Sequence, residues 1–149
     1  MSLVIRRATA ADASPISDVV TRALQALDTL DYPPAAIERL VQRFTPAAID
    51  DLLQQRWMLV ATRDGHVVGT ASLDAGFVRT VFILPDCQGL GVGRQLLEAL
   101  HAQAVATGLE RLHVRSSTTA VGFYERMGYR RHEEAPEGPG NTVMMTRTL

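Results

Sequence analysis

The 149-residue sequence has no lysine, and all fifteen of its basic residues are arginine. We read this as compositional bias. The arginines are also scattered, and the pairs Arg6-Arg7 and Arg130-Arg131 are expected to be solvated strand ends rather than binding patches. Sixteen acidic residues bring the formal net charge to -1, so there is no basic field to draw nucleic acid or an acidic membrane. Cysteine is almost as scarce: Cys87 stands alone, which excludes an intrachain disulfide and suits a reducing compartment. With no dedicated base beside it, Cys87 reads as a loop thiol. No apolar run reaches the ~18 residues of a membrane span. Met1 to Arg7 lacks the basic-then-apolar pattern of a signal peptide. A cytoplasmic location is the simplest expectation.

Apolar residues make up 46% and charged residues 21%, the balance of a soluble globular chain. The length suits one domain over residues 1–149 with a sizeable core. A first strand is expected at 2–8, then Thr9 and Asp12 in capping-box spacing. A helix follows, with Ile16, Val19, Val20, Ala23, Leu24 and Leu27 on one face. Pro33-Pro34 opens a second helix, striped by Ile37, Leu40, Val41 and Phe44. Thr45-Pro46, a cap followed by a first-turn proline, opens a third. Strands at 57–62 and 67–73 join at Asp64-Gly65, a hairpin signal. Further expectations are a strand at 77–84, a helix at 91–107, a strand at 112–116 and a helix at 119–127. Strands at 129–133 and 142–148 flank a Pro/Gly loop, 135–140. This order predicts a mixed α/β sheet of about seven strands with helices on both faces.

The chemistry concentrates where the strand ending Val81-Phe82-Ile83-Leu84-Pro85 runs into Gln88-Gly89-Leu90-Gly91-Val92-Gly93-Arg94. Unpaired N–H groups at a helix start attract anions, and glycines let the backbone approach a phosphate closely. A phosphate or pyrophosphate site follows. A Walker A loop needs a lysine that the chain does not have. A Rossmann fingerprint fails because Arg94 stands where the third glycine would fall, and because the loop follows the fourth strand rather than the first.

Gln88-x-x-Gly91-x-Gly93 resembles the Arg/Gln-x-x-Gly-x-Gly/Ala signature of the GNAT superfamily. Phe123-Tyr124-Glu125-Arg126-Met127-Gly128-Tyr129, about thirty residues on, resembles the same family's Phe-Tyr-Glu-x-x-Gly-Phe/Tyr helix. Together with the order of elements, the resemblance spans nearly the whole chain. It implies the GNAT N-acyltransferase fold and an acetyl-CoA-dependent N-acetyltransferase. The amides of Gly89, Leu90, Gly91, Val92, Gly93 and Arg94, assisted by Gln88, would hold the pyrophosphate of acetyl-CoA. Val81 and Ile83 would pair with the pantetheine arm, and an amide near Phe82 would polarise the thioester. Ser117 stands where many relatives carry asparagine. Tyr124 matches the general acid that protonates the leaving thiolate; a purely structural aromatic is its rival reading.

The chain departs from the family where some relatives carry a strand-four base, because Phe77 and Arg79 occupy those positions. Asp31, Tyr32, Asp74 and His113 remain candidates. Strand alternation places Phe77, Arg79, Val81 and Ile83 on one face. The resemblance implies that this face carries substrate-side groups, where Arg79 could pair with a substrate carboxylate, with a surface or interface ion pair as the rival reading. Tyr32-Pro33-Pro34 would shape the acceptor pocket. His66, His101, His113 and His132 show no metal-ligand spacing, so no metal is expected. The reading is acetyl transfer to a primary amine of a small molecule by direct attack in a ternary complex. A homodimer is compatible with it, and neither nucleic acid nor membrane is an expected partner. The alternatives are an acetyltransferase of protein N-termini or lysines, and a non-catalytic acyl-CoA-binding sensor.

Overall fold

The computed structural model describes residues 3–27, 32–132 and 142–149. Asp31, Glu133 and the Pro/Gly loop 135–140 lie outside the described residues. Strand β1 (Leu3–Arg7) leads through a 3-10 turn, Ala10–Asp12, into α1 (Ala13–Gln25). Then come α2 (Pro34–Gln42), α3 (Pro46–Gln55) and three consecutive strands, β2 (Trp57–Arg63), β3 (His66–Asp74) and β4 (Phe77–Ile83). Helix α4 (Val92–Ala106) is followed by β5 (Arg111–Ser117), α5 (Val121–Arg126), β6 (Arg130–Arg131) and β7 (Thr142–Thr148). The seven strands form one sheet in the order β1-β2-β3-β4-β5-β7-β6. Every neighbouring pair is antiparallel except β4 and β5. The expected mixed seven-stranded sheet is the observed one. The strand expected at 129–133 shrinks to two described residues, Arg130 and Arg131.

Both faces of the sheet are covered. In β2, Met58 to Thr62 are all buried, an unbroken run of the kind a strand shows when neither face meets water. Met58 and Val60 pack with Ile16, Val20, Leu24, Ile37 and Ile49 of α1, α2 and α3. Leu59 and Ala61 point the other way, into a core with Leu96, Leu97 and Leu100 of α4. Ile16 and Ile49 are fully buried, each stabilising the fold by about 1.5–3 kcal/mol relative to exposure. Gly69 on β3 explains how closely α4 sits. A Cβ there would come within 3.0 Å of Val92 and 3.2 Å of Leu96, so a side chain would push the start of α4 off the sheet.

Two local devices behave as expected. Asp64 (φ 53°) and Gly65 (φ 82°) turn the β2–β3 hairpin with the paired positive φ of a type I′ turn. Thr9 and Asp12 form the capping box, with Thr9 N–H donating to Asp12 at 2.7 Å. Arg6 and Arg7 are exposed at the strand end, as expected, and each also has a partner. Arg6 donates to both carboxylate oxygens of Asp12, at 2.8 and 2.9 Å, which holds the Asp12 carboxyl below its ordinary range. Arg7 lies over the Trp57 ring, 4.9 Å from its centroid. In each case a neighbouring element, the 3-10 turn for Arg6 and β2 for Arg7, brings a partner within reach of the strand end.

Candidate active site

The site begins with an irregularity in β4. Arg79 pairs with Ser72 and Phe82 with Thr70, so Thr80 and Val81 together oppose the single residue Ala71. Thr80 has φ 55°, a left-handed conformation that is uncommon away from glycine. The extra residue is a β-bulge, which kinks a strand and shifts its alternation by one. This corrects the expected common face of Phe77, Arg79, Val81 and Ile83. Across the bulge, Phe77 and Arg79 share their face with Phe82. Phe82 packs edge-on against Phe44 at 5.7 Å, on the side of α1, α2 and α3. Val81 and Ile83 join the core on the side of α4 and α5.

The bulge also splits the sheet. Parallel pairing between β4 and β5 is confined to Phe77 with His113 and Val78 with Val114. Beyond Val78 the strands separate around a cleft of about 370 Å³. One lip is Val78 to Phe82 and the other Val114 to Ser117, with Ala120 and Tyr124 at one side and Phe44 and Arg56 at the other. A larger hollow of about 740 Å³, along α2 and Gln25, shares no residue with this cleft; it has no group aligned with the strand ends, so the chemistry belongs to the cleft.

On the α4 side the strand runs into the glycine loop. Gly89 and Gly91 have φ of 79° and 80°, which glycine adopts without penalty. Gly91 caps α4, and the first amide to bond back is Gln95, to the Gly91 carbonyl. Among the described residues, none of the amides from Gly89 to Arg94 donates to a protein acceptor. Gln88, Gly89 and Leu90 are exposed, and among the described residues Arg94 pairs with Glu98, at 3.8 Å. An open turn of free donors at a helix start fits a pyrophosphate. Gly93 serves another purpose: a Cβ there would meet the Phe123 ring at 3.2 Å, so Gly93 lets α5 approach α4. Val92, fully packed beneath the loop, can offer its amide only.

Tyr124 lies at the inner wall of the cleft. It is buried, and burial raises its pKa well above the ordinary phenol value. Its ring packs against Phe123 at 5.1 Å and Tyr129 at 5.5 Å. Among the described residues no protein group hydrogen-bonds its hydroxyl, although buried phenols normally find a partner. Tyr129 behaves differently. Its hydroxyl lies 2.8 Å from His101 Nε2, and Arg147 donates to His101 Nδ1 at 2.6 Å. Because Nδ1 accepts, the ring is neutral and Nε2 carries the proton. Burial, and then the Arg147 charge, bring the His101 pKa down to about 4.

The opposite side of the cleft is basic. Arg79 Nε lies 3.2 Å from Asp74 Oδ2 and its guanidinium 4.8 Å from the Phe77 centroid. Arg56, from the end of α3, donates to the Thr80 hydroxyl at 2.7 Å and lies 3.9 Å from Asp74. Arg115 completes the rim. Of the candidate bases, Asp74 is tied up by arginine, and His113 bonds Thr146 at 2.9 Å with its ring against Phe77. Neither lines the cleft, nor does Tyr32, which packs on the α1–α3 core. Ser117 does line it, 3.2 Å from the Thr119 hydroxyl. The described lining contains no carboxylate and no histidine. Sequence reasoning missed Arg56, Arg115 and Thr80, for which no local pattern gave a signal.

A mixed sheet split beside a glycine-rich helix start defines the class, and comparison with known proteins agrees. Residues 28–147 match the model of the acetyltransferase (GNAT) domain. The chain belongs to the GNAT family of acetyl-CoA-dependent N-acetyltransferases. It is 31% identical over 142 residues to the IAA acetyltransferase of Azospirillum brasilense, covering 88% of each chain. It is 36% identical over 96 residues to the peptidyl-lysine N-acetyltransferase YjaB of Salmonella typhimurium, where the match spans 64% of this chain and 60% of that protein. Among solved structures, PaiA N-acetyltransferase from Thermoplasma acidophilum, in complex with coenzyme A, superposes with a TM-score of 0.88 at 16% identity. The overlap covers all of both chains. A GCN5-related N-acetyltransferase from Rhodopseudomonas palustris superposes with a TM-score of 0.87 at 26% identity, over 100% of this chain and 97% of that one.

Proposed function

We propose that this protein transfers the acetyl group of acetyl-CoA to the primary amine of a small molecule, by direct attack in a ternary complex. The observation that carries the reading is the split between β4 and β5. It leaves one edge of β4 free, between the glycine-loop amides and the Tyr124 phenol. The amides of Gly89 to Arg94, with Gln88, would bind the pyrophosphate. The backbone of Val81 to Ile83 would hold the pantetheine arm as a neighbouring strand would. An amide near Phe82 would donate to the thioester oxygen, and Ser117 would steady the arm. Acetyl-CoA supplies the activated acetyl group. Tyr124 would give its proton to the departing sulfur as the amine nitrogen bonds the acetyl carbon. The proton that the nitrogen sheds in becoming an amide would pass to water, and water would reprotonate the phenolate.

No base lines the described cleft, so we place amine deprotonation in water. The arginines on the acceptor side favour this step, because nearby positive charge disfavours an ammonium. Arg79 and Tyr32 would contact the acceptor, Tyr32 only if the acceptor extends beyond the cleft. A cytoplasmic site of action accords with Cys87, a buried free thiol. The small cleft supports a small acceptor over an extended peptide. An acetyl-CoA consumption screen over amines, amino acids, polyamines, aminoglycosides and lysine peptides tests the reading. Turnover with at least one small amine is expected. Turnover confined to peptides would transfer the activity to protein lysines or N-termini, and binding without any turnover would leave a sensor.

A further inference from the structure

We propose that the acceptor amine carries a carboxylate, and that Arg79 and Arg56 hold that carboxylate at the mouth of the cleft. The inference rests on the amine-acetylating reading above and names the substrate class of the same site. Arg79 and Arg56 share one counter-ion: the same Asp74 oxygen lies 3.2 Å from Arg79 Nε and 3.9 Å from Arg56 Nε. Two guanidinium groups and one carboxylate leave one positive charge uncompensated. The imbalance falls on a partly sheltered group, because the Arg56 side chain is only 18% exposed. A cation withdrawn from water with its counter-ion nearly 4 Å away is poorly compensated. Desolvation is the main cause that lowers the Arg56 pKa; the Asp74 charge opposes it in part, and the weaker Arg79 charge adds to the lowering. An incoming anion would relieve that strain.

The donors suit a carboxylate. Guanidinium presents N–H groups in a planar fork that matches two carboxylate oxygens. Arg79 spends Nε on Asp74, and among the described residues its two terminal nitrogens make no protein hydrogen bond. The Phe77 ring lies against that guanidinium at 4.8 Å and steadies it by cation–π attraction. The Thr80 hydroxyl fixes Arg56 at 2.7 Å. Because of the bulge, Arg79 lies on the Phe82 face of the sheet, across the split from the side of α4 and α5. A carboxylate anchored there leaves the amine end to enter between β4 and β5. The group formed by Arg79, Arg56 and Asp74 carries one residual positive charge, which a carboxylate matches, and Arg115 adds a further cation on the rim. No carboxylate lines the described cleft to repel the anion.

The test compares matched acceptors that differ only in charge: glycine with glycinamide, β-alanine with β-alaninamide, and aminoethyl phosphate as the phosphate arm. We expect kcat/KM to favour the acids by about ten- to a hundredfold, the range for one or two charged hydrogen bonds. Arg79→Gln should bring the acid-to-amide ratio towards one, mainly through the KM of the acids, and Arg56→Gln should shift it the same way. The acetyl-CoA-induced melting shift confirms that each variant is folded. Calorimetry of N-acetylglycine and N-acetylglycinamide on the CoA-loaded protein tests the clamp without turnover. Tighter binding of the acid supports the clamp even if no amine is acetylated, an outcome that would count against the proposed function alone. Equal kcat/KM and equal affinity within each pair would overturn the proposal. So would a preference for aminoethyl phosphate, or an acid preference that persists in Arg79→Gln.

Discussion

The two sides of the split sheet are built from opposite materials. On the side of α4 and α5, the site consists of backbone amides, glycines and one buried phenol, with almost no side-chain charge directed into it. On the side of α1, α2 and α3 it consists of arginine side chains on the bulged strand and the end of α3. Backbone donors give a fixed geometry that any chain with the right turn can offer. Side-chain charge gives selectivity that changes with single substitutions. This division suits a protein whose cosubstrate is common to a family and whose acceptor is particular to it.

The largest effect is expected where the backbone itself is proposed to bind the cosubstrate. Gly91 has φ 80° and its absent Cβ would meet nothing within 4 Å, so its requirement is conformational rather than one of packing. A β-branched residue at such a φ costs on the order of 1–3 kcal/mol or reshapes the turn, and its side chain would stand in the approach to the free amides. Gly91→Val should abolish the rise in melting temperature that acetyl-CoA produces by binding the native state. Gly93→Val should do the same by a different route, through the 3.2 Å contact with Phe123, and should also lower the melting temperature of the free protein. Undiminished shifts in both variants would remove the cofactor site from this loop and erase the contrast between the two sides.

Tyr124→Phe comes next, because it removes one oxygen and keeps the ring contacts to Phe123 and Tyr129. Turnover should fall by roughly ten- to a thousandfold, the scale of general-acid catalysis, with acetyl-CoA affinity little changed. Burial raises the Tyr124 pKa, so the phenol stays protonated across the working range and should not produce a high-pH limb in the rate profile. The raised pKa does not forbid transfer, because a thiolate formed in the same buried place is raised for the same reason. Unchanged turnover with a lowered melting temperature would make Tyr124 structural. A joint loss of rate and affinity would make its hydroxyl a positioning contact on sulfur.

The same contrast governs what could be read from the chain alone. The glycine loop and the α5 motif are local: their residues are neighbours in sequence, and φ or helical spacing follows from residue type. The hairpin at Asp64-Gly65 and the cap at Thr45-Pro46 were legible for that reason. The bulge was not. Arg79-Thr80-Val81 contains no glycine to mark a left-handed residue, and strict alternation put Arg79 with the wrong neighbours beyond it. Arg56 reaches the cleft only because α3 ends against β4, a contact 24 residues apart in the chain. The absence of a base from the described lining likewise depends on where Asp74 and His113 find partners, which is set by cross-strand register. Local chemistry was visible in the sequence, and the acceptor side awaited the pairing of distant strands.

The smallest effect separates the support of the phenol from its chemistry. Buried His101 and Tyr129 and half-buried Arg147 form a hydrogen-bonded chain behind Tyr124, on the amide-and-phenol side of the sheet. Arg147 donates to His101 Nδ1, so protonating the ring would break that bond and place two cations together. The His101 pKa is brought down to about 4 in the fold, against about 6.5 for an unfolded histidine. Between those values the unfolded chain binds more protons than the native one. Stability therefore falls as pH is lowered through that window, and it is fully present above about 6.5. The depression corresponds to roughly 3 kcal/mol by linkage. Urea unfolding of wild type and His101→Gln from pH 7.5 to 4 should show this directly. The variant loses some stability at pH 7.5, where two hydrogen bonds are disturbed, but its curve should be flatter by about that amount at pH 4. Parallel curves would show that His101 titrates normally and that its ring is not held neutral by burial and Arg147. A flatter curve with turnover reduced at pH 7.5 would show that the phenol depends on the stack that holds it, while the arginines across the split would be unaffected.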